Sequence, residues 1–218
     1  MAAREQPMKP GQFKAIIYDC DGVLIDSRES NEAYYNLILE HFGQPPLTEE
    51  HRHMIQFLTA GDVMGLIFAD TGLLNNALTF EKALDNELFI SLIHVEPNTR
   101  EALTHLRQKY RTAIATNRGK SLRPLLTYHG LTSMFDVVVS SYDVSHPKPD
   151  PECLNIILKH FRFMPEEALY IGDNEIDQVL CERAGMPFIA YKNPSLRAAH
   201  HISDHFELLE ILSHPLLP

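Results

Sequence analysis

Ala15-Ile16-Ile17-Tyr18-Asp19-Cys20-Asp21-Gly22 is an apolar, β-rich run that stops on two acids and a glycine. A strand alternates its side chains with period two, so Asp19 and Asp21 leave its C-terminal end on the same side of the backbone. Cys20 turns the other way, into the core. Two carboxylates this close repel unless a cation binds between them or one keeps a proton. Those are also the conditions for phosphoryl chemistry with a carboxylate nucleophile. The pair alone carries little, because acids after a strand commonly cap the next turn or helix.

Three further apolar runs end on polar residues. Thr112-Ala113-Ile114-Ala115 leads into Thr116-Asn117, and Val137-Val138-Val139 leads through a polar loop to Pro147-Lys148-Pro149. Ala168-Leu169-Tyr170-Ile171 leads into Gly172-Asp173-Asn174-Glu175-Ile176-Asp177. In an open parallel α/β sheet, ligands sit outside the carboxyl ends of the strands, so the four stretches are expected to converge. Their meeting place would hold acids, a hydroxyl and a lysine.

The rest of the chain fits that sheet. The first strand is expected over Phe13–Asp19, after an irregular start with Pro7, Pro10 and Gly11. Asp26 and Glu29 have the D-x-x-E spacing of a helix start, and Tyr34, Leu37, Ile38 and Phe42 recur at helical spacing up to Gly43. From there to about Glu96 the pattern is helical, with apolar faces over Glu49–Ala60, Val63–Asp70 and Phe80–Ile93. Beyond Pro97 helix and strand alternate. Helices are predicted over Thr99–Lys109, Leu122–His129, Glu152–Phe161, Ile176–Ala184 and Phe206–Leu212. Strands are predicted up to Ala115, at Asp136–Val139, at Leu169–Ile171 and, as the last of them, at Pro187–Ala190. Alternating βα units imply an α/β fold, a doubly wound parallel sheet, with an all-helical block inserted after its first strand.

The ordered set of motifs resembles the haloacid dehalogenase (HAD) superfamily of phosphohydrolases. Asp19-Cys20-Asp21-Gly22-Val23 is similar to its first motif, Thr116 to its second, Lys148 to its third and Gly172-Asp173…Asp177 to its fourth. The resemblance spans nearly the whole chain, including the Lys148–Glu152 run. It implies a Rossmann-like core over 1–27 and 97–218 with a helical cap over 28–96. It also implies Asp19 as nucleophile and Asp21 as the acid and base, with Thr116, Asn117 and Lys148 holding the phosphoryl group. Mg²⁺ would be bound by an Asp19 oxygen, the Asp21 main-chain carbonyl and Asp173, with Asp177 in support. Within the superfamily the chain looks most like the phosphoglycolate phosphatase and β-phosphoglucomutase branch. Asp21 speaks against the dehalogenase members, and Gly172-Asp173, where the mutases tend to carry Glu-Asp, favours a phosphatase over a mutase. A non-catalytic module that merely kept the fold would be expected to have lost part of this set.

Bulk properties narrow the setting. The chain has 218 residues, 44% hydrophobic and 22% charged, as in an ordinary globular protein with one full core and room for an accessory domain. A formal charge of −10 disfavours nucleic acid as a partner, since a phosphate backbone demands clustered cations. No apolar run approaches the roughly 18 residues of a membrane span, and Met1–Gln12 lacks a secretory hydrophobic region. A cytoplasmic protein acting on a small phosphorylated substrate, as a monomer or weak homodimer and without a membrane partner, is the expectation.

Other motifs lead nowhere. Cys20, Cys153 and Cys181 are too few and scattered for a disulfide framework. Arginine is absent six positions after each, where Asp26, Lys159 and Pro187 stand, so a cysteine phosphatase is disfavoured. Gly119-Lys120-Ser121 looks like the end of a P-loop, but Ile114 occupies the position of the required earlier glycine. His201 and His205 would share a face if that stretch were helical, yet no third zinc ligand has suitable spacing. Thr59–Asp62 reads as an interhelical turn, and Arg118 as either a substrate-tail contact or a surface ion pair.

Overall fold

The computed structural model describes residues 13–56, 58–85 and 87–213. The irregular start expected around Pro7, Pro10 and Gly11 lies outside them. The chain opens with β1 (Ala15–Tyr18) and a short β2 (Ile25–Asp26). Five helices follow, α1 (Arg28–His41), α2 (Glu49–Met54), α3 (Ala60–Ile67), α4 (Leu74–Ala83) and α5 (Glu87–Ile90). Beyond them come β3 (His94–Val95), α6 (Thr99–Leu106), β4 (Arg111–Ala115), α7 (Leu122–Tyr128) and β5 (Val137–Val139). The last part is α8 (Glu152–Phe161), β6 (Ala168–Gly172), α9 (Glu175–Ala184), β7 (Phe188–Tyr191), β8 (His200–Ile202) and α10 (His205–Ser213).

Six of the strands form a parallel sheet in the order β5-β4-β1-β6-β7-β8. The chain builds outward from β1 on one side and then, after β5, on the other, so the order reverses beside β1. That reversal leaves a crevice at the carboxyl ends of β1, β4 and β6.

Strand β1 shows why its sequence is apolar throughout. Ile16 and Tyr18 pack against Leu103 and Leu106 of α6, Leu122 and Leu125 of α7 and Leu208 of α10. Ala15 and Ile17 face the other way, onto Leu154 and Ile157 of α8 and Leu180 of α9. A strand covered on both faces has no polar positions to alternate with. Each fully buried Leu or Ile contributes about 1.5–3 kcal/mol, so both faces of β1 are strongly fixed.

The helical block between β2 and β3 has a core of its own. Tyr35, Ile38 and Leu39 of α1 meet Val63, Met64 and Ile67 of α3 and Ala77 of α4. Its two ends are stitched together by an antiparallel pair, Ile25 opposite Val95 and Asp26 opposite His94. The block therefore joins the sheet core through two adjacent strands and is held over the crevice. Among the described residues no helix is long and apolar enough to cross a membrane.

Several expected boundaries move. The stretch from Glu49 to Ile93 divides into four short helices instead of three longer ones. Thr59 caps α3, its Oγ1 accepting from the Asp62 amide, which interrupts the helix expected through Ala60. The interval before α6 also contains β3. Pro187–Ala190 is not the last strand, because β8 follows it, and this places His201 on a strand while His205 begins α10, so the two share no helical face. Ser27, not Asp26, precedes the first turn of α1, and Asp26 accepts from the Arg28 amide and guanidinium.

Candidate active site

The four motif-bearing segments meet at the crevice beside β1. Asp19 directly follows β1, and its amide continues the ladder to the Ile171 carbonyl at 2.9 Å. Its carboxylate is turned inward and buried, with Oδ1 accepting from the Cys20 amide at 2.7 Å and standing 2.9 Å from Lys148 Nζ. Gly22 turns the chain with φ near +76°, and a Cβ there would fall on the Asp173 carboxylate. A glycine is thus required both by the turn and by the close approach of Asp173.

Lys148 arrives on the loop after β5. Upstream in that loop, the Glu152 carboxylate accepts from the Ser145 and His146 amides. Asn117 fixes Lys148 itself: its Oδ1 accepts from the Lys148 amide at 3.0 Å and its Nδ2 donates to the Lys148 carbonyl at 3.2 Å. The buried ammonium then donates to Asp177 Oδ1 at 2.7 Å and the Tyr170 hydroxyl at 3.1 Å, besides its pairing with Asp19. Burial alone would lower its pKa, but the charges of Asp177 and Asp19 outweigh that and raise it, keeping the lysine protonated.

Strand β6 ends at Gly172, which lets the chain pass the Asp177 carboxylate where a Cβ would collide with it. Asn174 caps α9 by accepting from the Asp177 amide at 3.1 Å. That cap sets Asp177 in the first turn, aimed back at the strand ends. Its Oδ2 accepts from the Asp173 amide at 3.2 Å, and its Oδ1 lies 3.0 Å from the Tyr170 hydroxyl.

Asp19, Asp173 and Asp177 each bring a carboxylate oxygen within 4.8 Å of the others. Burial, together with the charge of Asp177, pushes Asp173 up to about 7. Asp19 is also raised, by burial first and by the neighbouring acids, against the pull of Lys148. One ammonium does not neutralise three acids, and the donors are all hard oxygens, so the cluster fits a divalent cation of the Mg²⁺ or Ca²⁺ type. Asp177 already accepts from Lys148 and the Asp173 amide.

Asp21 stands apart from the other acids. The Arg118 guanidinium grips it as a fork, Nη2 to Oδ1 at 2.5 Å and Nε to Oδ2 at 2.9 Å, and the Ser27 hydroxyl also donates to Oδ1. The two side chains are only 9% and 11% exposed, so this is a desolvated pair and not one on the surface. Thr116 is buried beside it, its Oγ1 accepting from the Arg118 amide at 3.1 Å.

A cavity of about 340 Å³ opens in front of these groups, under the helical block. Asp19, Asp21, Thr116, Asn117 and Lys148 line its floor, and Tyr34, Tyr35, Phe89 and Ile90 line its roof. Lys120 ties roof to floor: its ammonium donates to the Glu81 carbonyl at 2.7 Å, at the C-terminal end of α4, and stands 3.5 Å from the Glu81 carboxylate.

The structure thus brings together Asp19, Lys148, Asp173 and Asp177, with Asp21 and Thr116 on the same floor. Asn117 lies among them with its amide spent on the Lys148 main chain. Sequence reasoning missed the grip of Arg118 and Ser27 on Asp21, and the part of Tyr170 in the lysine network. Tyr170 sits in an apolar strand and reads as core, and nothing in the chain order pairs Arg118 with Asp21.

A family model described as haloacid dehalogenase-like hydrolase matches residues 16–191. A phosphoglycolate phosphatase of Rhodobacter capsulatus is 31% identical over 191 residues, covering 81% of this chain and 83% of its own. The pyrophosphatase PpaX of Bacillus velezensis is 28% identical over 180 residues, covering 82% of each. Among solved structures, a HAD-superfamily hydrolase of subfamily IA, variant 1, from Geobacter sulfurreducens superposes with a TM-score of 0.77 at 37% identity, covering 95% of this chain and 100% of that one.

Proposed function

The chain belongs to the haloacid dehalogenase-like hydrolases, and from that premise we propose that it is a Mg²⁺-dependent phosphatase of a small phosphorylated metabolite. The observation that carries this reading is the buried Asp19 carboxylate, 2.9 Å from the Lys148 ammonium and clustered with Asp173 and Asp177, at the floor of a cavity roofed by helices.

Asp19 is the nucleophile. Its free oxygen attacks phosphorus in line, forming the aspartyl-phosphate as the bond to the alcohol oxygen breaks. Asp21 gives that departing oxygen a proton, then takes one from the water that attacks the aspartyl-phosphate, releasing phosphate and restoring Asp19. Lys148 and the Thr116 hydroxyl hold the phosphoryl oxygens, and Asn117 fixes Lys148 through its main chain. When bound by Asp19, the Asp21 carbonyl and Asp173, with Asp177 in support, Mg²⁺ supplies positive charge for the phosphoryl oxygens. The helical block excludes bulk water from the step. The enzyme works in the cytoplasm as a monomer or weak homodimer, with no nucleic-acid or membrane partner.

The test is a phosphate-release screen with Mg²⁺ over phosphoglycolate, sugar phosphates, nucleotides and pyrophosphate, run beside Asp19→Asn. The substitution should lower the rate by roughly 10³-fold or more, as loss of a nucleophile does. Equal release by both proteins would refute the assignment.

A further inference from the structure

Both oxygens of Asp21 are occupied within the protein. Oδ1 accepts from Ser27 Oγ and Arg118 Nη2, and Oδ2 accepts from Arg118 Nε. A carboxylate held this way borders the cavity with both oxygens already accepting from protein donors. For Asp21 to exchange a proton with the alcohol oxygen of an ester, the Arg118 fork must first let go.

Letting go has a cost that depends on the ester. Arg118 has further contacts at Ser121 Oγ, 2.9 Å from Nη1, and at Asn31 Oδ1, 3.4 Å from Nη2, but both are neutral. Stripped of Asp21, the guanidinium would be a nearly buried cation without a counter-charge. Its planar fork suits any carboxylate or phosphate equally well, so an oxyanion on the ester can replace Asp21 at little loss. Of the lysines at the cavity, Lys148 is bound between Asp19 and Asp177, Lys120 is bound at Glu81, and Lys82 is exposed, so none of them is a buried charge in need of an oxyanion.

Resting on the phosphatase reading above, we propose that Arg118 is the specificity-determining residue of this site. It holds Asp21 until an ester arrives whose alcohol side carries a second oxyanion, carboxylate or phosphate, that takes over the guanidinium and frees Asp21 to take up a proton from solvent and pass it to the leaving oxygen. The substrate class is a phosphate monoester with an anionic tail.

The experiment compares kcat/KM on esters of one two-carbon skeleton: ethyl phosphate with a neutral tail, 2-phosphoglycolate with a carboxylate and ethylene glycol bisphosphate with a phosphate. The full chain with Mg²⁺ should prefer at least one anionic ester over ethyl phosphate by about 10²-fold, the scale set by a buried charge pair. The better of the two identifies the tail. In Arg118→Met, where nothing withholds Asp21, that preference should collapse to within about threefold, mainly through gain on ethyl phosphate. Arg118→Lys keeps the charge without the fork, and it should lose about tenfold of the preference even if the methionine variant does not fold. A preference that survives both variants, or equal slowing of all three esters, overturns the proposal. So does an active wild type with no preference, which leaves the phosphatase reading intact; a chain that releases phosphate from no ester overturns both.

Discussion

At the scale of single residues, Lys148 decides whether the site can exist. It is the buried cation between Asp19 and Asp177, and its main chain is held from both sides by Asn117. Lys148→Met keeps the volume and removes the charge, leaving two desolvated carboxylates facing each other. Breaking a buried pair in this way costs about 3–5 kcal/mol, so urea denaturation should show a loss of that size, well beyond a surface lysine's. An unchanged midpoint would mean that the acids find other partners. The acids and Lys148 were legible in the sequence because each is a polar residue ending an apolar run, where parallel strands place their ligands. Arg118 was not. Its partner lies 97 residues away, and whether an arginine is solvated or desolvated depends on what covers it, here the helical block. Asn117 was legible as a residue of the site but not in its contacts, since its amide reaches the Lys148 main chain.

At the scale of elements, the long apolar runs were readable and the short polar ones were not. Strands β1, β4 and β6 each present an apolar run to two covered faces. Strands β2 and β3 have two residues each, too few to show any period, and β8 reads His-His-Ile, with polar residues where an edge strand meets solvent. Strand β8, absent from the sequence expectation, matters because it changes what the following helix does. His205 at the start of α10 is buried, stacked on Tyr191 with centroids 4.7 Å apart, and its Nε2 donates to the Val23 carbonyl at 2.8 Å, in the turn that follows Asp21. The closing helix is thus tied to the turn that carries Asp21. Burial lowers the His205 pKa, while the Val23 bond, Asp204 and Glu96 pull it back up and Lys192 adds to the lowering. A histidine depressed in the folded state contributes stability above its unfolded value of about 6.5, and loses it as pH falls through the lower folded value. Thermal melts should therefore show the wild type losing stability below about pH 6.5. His205→Phe should remove this contribution from the profile, after a pH-independent cost of about 1–3 kcal/mol for the unpaired Val23 carbonyl. Parallel profiles for the two proteins would mean that the histidine does not titrate there.

At the scale of the whole molecule, the acid cluster is where segments far apart in the chain are drawn together. Asp19 comes from the end of the first strand, Asp173 and Asp177 from the start of α9, and the helical block that roofs them is inserted between. A cation bound there stabilises only the folded chain, because the unfolded chain has no such cluster, so Mg²⁺ should raise the melting temperature by mass action. At a concentration 100 times the dissociation constant the gain is about 2.7 kcal/mol. The same cluster fixes how that gain varies with pH. Asp173 is pushed up to about 7 by burial and the charge of Asp177. A carboxyl raised above its unfolded value of about 3.9 stabilises the metal-free fold fully below that value, and the contribution is lost as pH rises through about 7. Proton and cation thus compete for one site. The metal-free chain should lose stability between about pH 4 and 7, and the Mg²⁺-dependent gain should grow across the same range and level off above it. Calorimetry with and without Mg²⁺ at several pH values measures both curves. Asp173→Asn should flatten the two together, since it removes the proton site and one of the three clustered carboxylates at once. A Mg²⁺ gain that is the same at pH 5 and pH 8 would place the cation elsewhere on a chain whose formal charge is −10.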